Sequence, residues 1–270
     1  MRYTASIIIA AILLAATKAA LAFDQNHAVW DALLKHHVVI AQNGGSSRVD
    51  YAGFHADQSA LQAYLDGLSS VTQTEYRGWA REQQLAFLIN AYNAFTVKLV
   101  LTRYPDLKSI KDLGSLLKSP WKKEFFRLLG AERSLDDVEH GVIRAPGAFD
   151  EPRIHFAVTC ASIGCPMLRD KAYVAERLDS QLEDSARRFL GDRSRNRYDP
   201  ASAELEVSRI FDWYKADFQQ GNRGISSVPR FLARYADFLA DGAVARALVR
   251  EGQAQIRYLD YDWTLNDTKH

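Results

Sequence analysis

Two cysteines, Cys160 and Cys165, are the side chains of this sequence best suited to covalent chemistry. Pro166 fixes its own φ and restricts the residue before it, so Cys165 lies on a rigid extended segment or turn, with a flexible Gly164 on its other side. A cysteine in this setting, with histidines elsewhere in the chain, is typical of a thiol nucleophile. The alternatives are a Cys160–Cys165 disulfide that pins the loop and a pair of inert buried thiols.

Two histidines are candidate bases for that thiol. Apolar residues alternate along residues 153–159, which predicts a core strand with His155 on the face that carries the smaller side chains. His140 follows Glu139 near the end of a short helix that Ser134 is expected to cap. We interpret His155 or His140 as the general base and Glu139 as an orienting group. The structural alternatives are a core histidine bound to a backbone carbonyl and a favourable charge at a helix end.

A long apolar stretch over residues 82–102 carries Asn90 and Asn93 on one face. Apolar residues recur around the whole circumference, which is typical of a buried helix. Buried amides must find partners or cost about 1–3 kcal/mol each. The two asparagines are therefore expected either to tie the helix to a neighbouring loop or to stabilise an oxyanion in a pocket.

Three further residues are candidates for substrate binding, namely Tyr92, Arg153 and Arg169. The arginines suit an anionic substrate group, although single arginines beside loops are also commonly solvated or paired with acids. The sequence has no His-x-x-x-His or Cys-x-x-Cys spacing, so we predict no metal site. It has no Gly-rich phosphate loop and no Gly-x-Ser-x-Gly elbow, and we predict no cofactor.

Four motifs together resemble a known family. They are Leu-Ile-Asn-Ala-Tyr-Asn-Ala at 88–94, Ser-Leu-Asp-Asp-Val-Glu-His at 134–140, Arg-Ile-His-Phe-Ala-Val-Thr-Cys at 153–160 and Gly-Cys-Pro-Met-Leu at 164–168. In this order and spacing they are similar to the domain of unknown function 547, over about residues 78–214. The resemblance implies a shared fold and a shared polar cluster, and it implies no particular reaction.

The elements that must position these residues are mostly helices. Helical patterns fall at residues 26–42, 56–68, 72–81, 82–102, 109–117, 174–190, 228–239 and 243–251. Strand patterns fall near residues 49–51, 125–129, 153–159, 196–198, 204–207 and 256–259. Runs of helices with a few non-alternating strands predict an α+β fold. We expect one globular domain over residues 23–270, predominantly helical, with a small, mainly antiparallel sheet.

The N-terminus has the order of an export signal. A single early positive charge precedes an apolar run at residues 5–16, which is too short for a bilayer, and Ala20-Leu21-Ala22 offers a cleavage site. We therefore expect cleavage near Ala22 and release into the periplasm or the medium. Disulfides persist in such compartments.

Charge and hydropathy limit the possible partners. Without residues 1–22 the chain has 32 basic and 33 acidic residues, a balance that does not favour nucleic acid or anionic membranes. No later segment is expected to span a membrane. The leading functional hypothesis is a thiol-dependent hydrolase or acyl/peptidyl transferase acting on a small-molecule or envelope-derived substrate. The alternatives are a non-catalytic envelope ligand-binding or accessory protein with a Cys160–Cys165 disulfide, and a thiol–disulfide redox role.

Overall fold

The computed structural model describes residues 22–115 and 118–269. The predicted export signal therefore lies outside the described residues, apart from Ala22. Within them the fold is α+β and predominantly helical, as the sequence predicts.

The N-terminal half is built around one long central helix, α5 (Arg81–Leu101). Every residue from Leu85 to Val97 is buried, so the helix packs against neighbours on all sides. Shorter elements precede it in the chain, namely α1 (Ala28–His37), β1 (Val38–Ile40), β2 (Ser47–Val49), α2 (Tyr51–Ala56), α3 (Gln58–Ser70) and α4 (Gln73–Arg77).

Helix α5 is long and apolar enough to cross a membrane by length and composition alone. However, 89% of its most apolar window is buried inside the fold. Its apolar surface is therefore accounted for by the protein core.

The strands form three small sheets rather than one. The first pairs β1 with β2, and the second pairs β3 (Phe126–Leu128) with β4 (Ala131–Arg133), both antiparallel. The third has the order β5 (Arg197–Asp199), β6 (Glu204–Val207) and β7 (Gln255–Tyr258), and its β6–β7 pair is parallel. The predicted hairpin and late strand are confirmed in this third sheet, and the antiparallel pairs predominate.

The C-terminal half adds a second cluster of buried residues beside the one around α5. Phe156 is at its centre, with Phe211 and Phe231 at ring-centroid distances of 5.8 and 5.7 Å. The helices that enclose this cluster are α6 (Leu178–Gly191), α7 (Ile210–Trp213), α8 (Val228–Ala233), α9 (Ala236–Leu239) and α10 (Ala243–Glu251).

The predicted strand over residues 153–159 is wrong. A 3₁₀ helix, Pro152–Phe156, occupies its first part, with proline at its start and the Glu151 carboxylate accepting the Arg153 N–H. Ile154 is buried in the first cluster and Phe156 in the second. The segment is thus enclosed by apolar groups on more than one side, and its apolar pattern did not mark one face of a strand.

Asn90 and Asn93 tie helix α5 to two later backbone segments. Asn90 Nδ2 donates to Tyr173 O at 2.8 Å, and its Oδ1 accepts from Tyr173 N at 3.0 Å. Asn93 Nδ2 donates to Ala157 O at 2.9 Å, and its Oδ1 accepts from Thr159 N at 2.9 Å. Each amide thus satisfies both a buried backbone donor and a buried backbone acceptor.

We predict that Asn90→Ala lowers the free energy of unfolding by about 2–4 kcal/mol, because the buried N–H and C=O of Tyr173 lose their partners. Urea unfolding measures this loss. Asn26→Ala, at an exposed asparagine, is the control and should change stability by less than about 0.5 kcal/mol. Equal stability of the two variants would show that the Asn90 bonds contribute nothing.

Candidate active site

A cavity of about 230 Å³ lies between the two buried clusters. Residues from both halves of the chain line it: Tyr92, Ser119, Trp121, Asp136, Glu139, His140, His155, Val158, Cys160, Cys165, Pro166, Ile210, Trp213, Tyr214, Tyr261 and Trp263. It contains both cysteines and both histidines that the sequence marks as candidates.

The two cysteines are free thiols with their sulfur atoms 2.9 Å apart, so the predicted bridge is not formed in this structure. Cys165 Sγ accepts a hydrogen bond from the backbone N–H of Cys160 at 2.7 Å and one from Thr159 Oγ1 at 3.6 Å. Burial raises the pKa of Cys165, but hydrogen bonds outweigh it and lower the pKa to about 7, first that of the Cys160 thiol and then those of the Cys160 N–H and Thr159. Burial and the neighbouring sulfur raise the pKa of Cys160 well above its usual value. The thiolate of the pair therefore resides on Cys165.

The cysteine loop is held in place by the C-terminal segment. Ile163 N donates to Thr264 O at 2.9 Å, and Gly164 N donates to Asp262 O at 2.8 Å. A Cβ at Gly164 would lie 3.0 Å from the Asp262 backbone, so a larger residue would require that backbone to shift by a few tenths of an ångström, whereas glycine permits the close approach. Tyr261 Oη lies 3.1 Å from Cys160 Sγ, so the C-terminal segment also contacts the cysteine pair directly.

His155 forms a buried pair with Asp217. Its Nε2 lies 2.7 Å from Asp217 Oδ2, and Arg144 Nε donates to the same oxygen at 2.6 Å. Burial opposes ionisation of Asp217, but the bonds from His155 and Arg144 hold its pKa well below the usual range. Burial lowers the pKa of His155, so its ring is neutral near pH 7 with the Nε2 proton facing the carboxylate. Nδ1 is then a buried lone pair without a protein partner, on a ring that lines the cavity.

Glu139 is brought to the cavity by a π-helix, Asp137–Ile143. Wider helical turns of this kind are frequent at functional sites. Ser134 caps its start as predicted, because Asp137 N donates to Ser134 Oγ at 3.1 Å and Ser134 N donates to Asp137 Oδ2 at 2.8 Å. The Glu139 side chain is buried, and its Oε1 has no hydrogen-bond partner.

Two tyrosines face the Glu139 carboxylate. Burial, then the negative charge of Glu139 and a hydrogen bond to its carboxylate, raise the pKa of Tyr92 and that of Tyr214, so both hydroxyls stay protonated. The ring of Tyr214 also stacks on His155 at 3.9 Å between centroids. His140 is more exposed, with Nδ1 against the Arg144 guanidinium and Nε2 3.8 Å from Asp136 Oδ1.

The structure separates the predicted site residues into two groups. Those that line the cavity are Tyr92, Glu139, His140, His155, Cys160 and Cys165. Asn90 and Asn93 do not line it and bind backbone instead.

The two arginines predicted to bind substrate are engaged elsewhere. Arg153 is buried and ion-paired with Glu151 at 2.8 Å and Asp179 at 2.6 Å. Arg169 is paired with Asp184 at 2.5 Å. Neither guanidinium borders the cavity, so the prediction that they bind substrate there is not supported by their positions.

Several lining or supporting residues were missed by sequence reasoning. Asp217 lies 62 residues beyond His155, and nothing in the local pattern marks it. The aromatic wall was also missed: Trp263 lies 4.6 Å from Tyr261 and 5.6 Å from Trp213 between ring centroids. The only signal for it is the density of aromatic residues at 213–214 and 261–263. Over residues 22–115 and 118–269, no three His, Cys, Asp or Glu side chains are grouped to hold a metal ion.

The pKa of Cys165 gives a prediction that needs no substrate. Because the thiolate is the reactive form, alkylation of Cys165 by iodoacetamide in the folded protein should rise with pH to half its maximum at about pH 7. In urea the midpoint should return to the range of an ordinary thiol, about 8.5. Peptide mapping after timed quenching measures the rate at each cysteine. A midpoint near 8.5 in the folded protein would contradict the hydrogen-bonded thiolate.

Comparisons with known proteins identify one family. The family model described as "Protein of unknown function, DUF547" matches residues 76–190. No curated protein and no solved structure matches the chain. The matched span contains both cysteines, His155 and Glu139, whereas Asp217 and most of the aromatic wall lie beyond it.

Proposed function

We propose that this chain, whose residues 76–190 match the DUF547 family model, is a thiol-dependent hydrolase or acyl transferase with Cys165 as its nucleophile. The observation that carries this proposal is the Cys160 N–H···Sγ bond to Cys165, in a cavity shared with a neutral His155 whose Nδ1 is free. A stabilised thiolate and an oriented base in one cavity are the two requirements of nucleophilic thiol catalysis.

The acyl-transfer step uses groups of this chain alone. The Cys165 thiol proton moves to His155 Nδ1, and Asp217 stabilises the resulting imidazolium. The sulfur then bonds to the substrate carbonyl carbon, and the bond to the leaving group breaks as that group takes the proton from Nδ1. Once the sulfur has bonded to carbon it no longer carries a negative charge, so the Cys160 N–H can donate to the carbonyl oxygen while that oxygen becomes negative. Water, or another acceptor, gives its proton to Nδ1 as its oxygen bonds to the thioester carbon. The carbon–sulfur bond then breaks, the acyl group leaves, and the Cys165 sulfur takes the proton back from Nδ1, which restores the thiol and the neutral histidine.

A burst experiment tests this proposal. The reduced protein is mixed with p-nitrophenyl acetate, and nitrophenol release is followed from the first milliseconds. We expect a rapid phase of about one nitrophenol per protein molecule, followed by slower turnover, as an acyl-enzyme requires. Cys165→Ala is the control and should show no burst. A wild-type trace without a burst, in protein whose two thiols titrate as free, would reject the proposal.

A second candidate function is a non-catalytic ligand-binding protein with Cys160 and Cys165 bridged. It is favoured by the 2.9 Å separation of the two sulfur atoms, together with the export that we propose from residues 1–22. A bridged Cys165 has no thiolate and cannot act as a nucleophile. Thiol titration of protein isolated without reductant and then denatured separates the candidates. Two thiols support the enzyme, and none supports the bridged binding protein.

A further inference from the structure

We infer that the ligand of this cavity carries a protonated amino group that binds Glu139. The inference deepens the proposed function because it names the substrate class of the same site. It rests on that proposal, since the ligand is a substrate only if the site is catalytic. Three features of the cavity support it: the charges on its lining, its unpartnered acceptors and its aromatic wall.

The ionisable groups on the lining favour a cation. Two carboxylic side chains, Asp136 and Glu139, border the cavity, and no lysine or arginine does so in the part of the chain that the structure describes. The Arg144 guanidinium, which contacts the lining residues His140 and Tyr214, already forms an ion pair with Asp217 at 2.6 Å. An anionic ligand would therefore meet two acids on the lining, where no described lysine or arginine lies to offset them, although the Lys111 ammonium contacts the ring of the lining residue Trp263.

The hydrogen-bonding groups that lack partners are acceptors. Glu139 Oε1 and His155 Nδ1 are both buried and unpartnered, and both residues line the cavity. Glu139 is 5% exposed. Tyr92 and Tyr214 bond its carboxylate, but the Oε1 atom has no donor, which is costly for a buried carboxylate oxygen. A ligand that complements these atoms must bring hydrogens, and an ammonium group brings three, with the charge that Glu139 requires.

The aromatic wall suits the same ligand. The side chains of Trp213, Tyr261 and Trp263 contact one another along the cavity. The face of Trp263 already holds one ammonium group, because Lys111 Nζ lies 4.1 Å from its ring centroid. Aromatic faces attract cations and also stack on flat apolar groups, so the wall accommodates the carbon skeleton next to the amine.

The test uses four probes with the same ring and different charge: benzylamine, benzyl alcohol, phenylacetate and benzyltrimethylammonium. Calorimetry with the unmodified protein should show benzylamine binding at least about tenfold more tightly than the alcohol or the acid. Benzyltrimethylammonium should bind more weakly than benzylamine, because it has the charge without N–H donors. Equal or tighter binding of any of the other three probes would overturn the inference.

Variants locate the amine and separate this inference from the proposed reaction. Glu139→Gln should remove the preference for benzylamine, whereas Glu132→Gln, on an exposed strand, should keep it. If Glu139→Gln does not fold, the probe series on the unmodified protein decides the question. Cys165→Ala should retain the preference while losing the ester burst. If the wild-type protein prefers benzylamine but shows no ester burst, only the proposed reaction is rejected. If it shows the burst but no preference for benzylamine, only the inference of an amino-group ligand is rejected.

Discussion

Replacing Cys165 by alanine should lower ester turnover by at least about 10³-fold, while Cys160→Ala should lower it far less. The reason is that Cys165 carries the thiolate, whereas Cys160→Ala removes one stabilising thiol hydrogen bond and retains the backbone N–H that also donates to Cys165 Sγ. The measurement is kcat/KM for p-nitrophenyl acetate with both purified variants, after circular dichroism has confirmed their folds.

The two cysteine variants control for each other, because both remove one buried sulfur from the same loop. A general loss of loop structure would affect both. If Cys160→Ala were the inactive variant and Cys165→Ala remained active, the assignment of the nucleophile would be reversed.

Asp217→Asn should lower kcat by roughly 10³–10⁴-fold with little change in KM, by analogy with the loss of the acid in a catalytic triad. The asparagine amide can donate to His155 Nε2, which moves the ring proton to Nδ1 and removes the base. It also removes the charge that stabilises the imidazolium during the reaction. Steady-state kinetics with a saturating ester measure the two parameters separately.

Asp212→Asn is the matched control for this prediction. Asp212 is exposed in the same short segment and forms no ion pair with a described residue. Its kinetics should be those of the wild type. An Asp217→Asn enzyme with unchanged kcat would show that the His155–Asp217 pair is structural.

Local sequence patterns correctly predicted the structural elements that are determined by residues close together in the sequence. Helix α5 follows from its continuous apolar surface, and the cap at Ser134 follows from its polar side chain. The β5–β6 hairpin follows from the turn residues Asp199 and Pro200 between two short strand patterns. The prediction of a strand at residues 153–159 was wrong because the apolar side chains of this segment are buried in two separate clusters. Alternation in sequence does not distinguish that environment from one face of a sheet.

The site was predictable only in part, for a related reason. Cys165, His155 and Glu139 belong to motifs in the central part of the chain and reach the same cavity. Asp217 and Tyr261 reach it from distant segments through tertiary packing, which no spacing rule describes. Asn90 and Asn93 were prominent because buried amides in an apolar helix are unusual, yet their partners are backbone groups of Tyr173, Ala157 and Thr159.

The identity of the acylated residue tests the central claim most directly. The reduced wild-type protein is mixed with p-nitrophenyl acetate, quenched in acid during the burst, and digested for mass spectrometry. We expect one acetyl group per molecule, attached through a thioester to Cys165, and no such adduct in Cys165→Ala. Acetylation at Cys160 or only at lysines, or an unmodified protein with both thiols free, would contradict the assignment of Cys165 as the nucleophile.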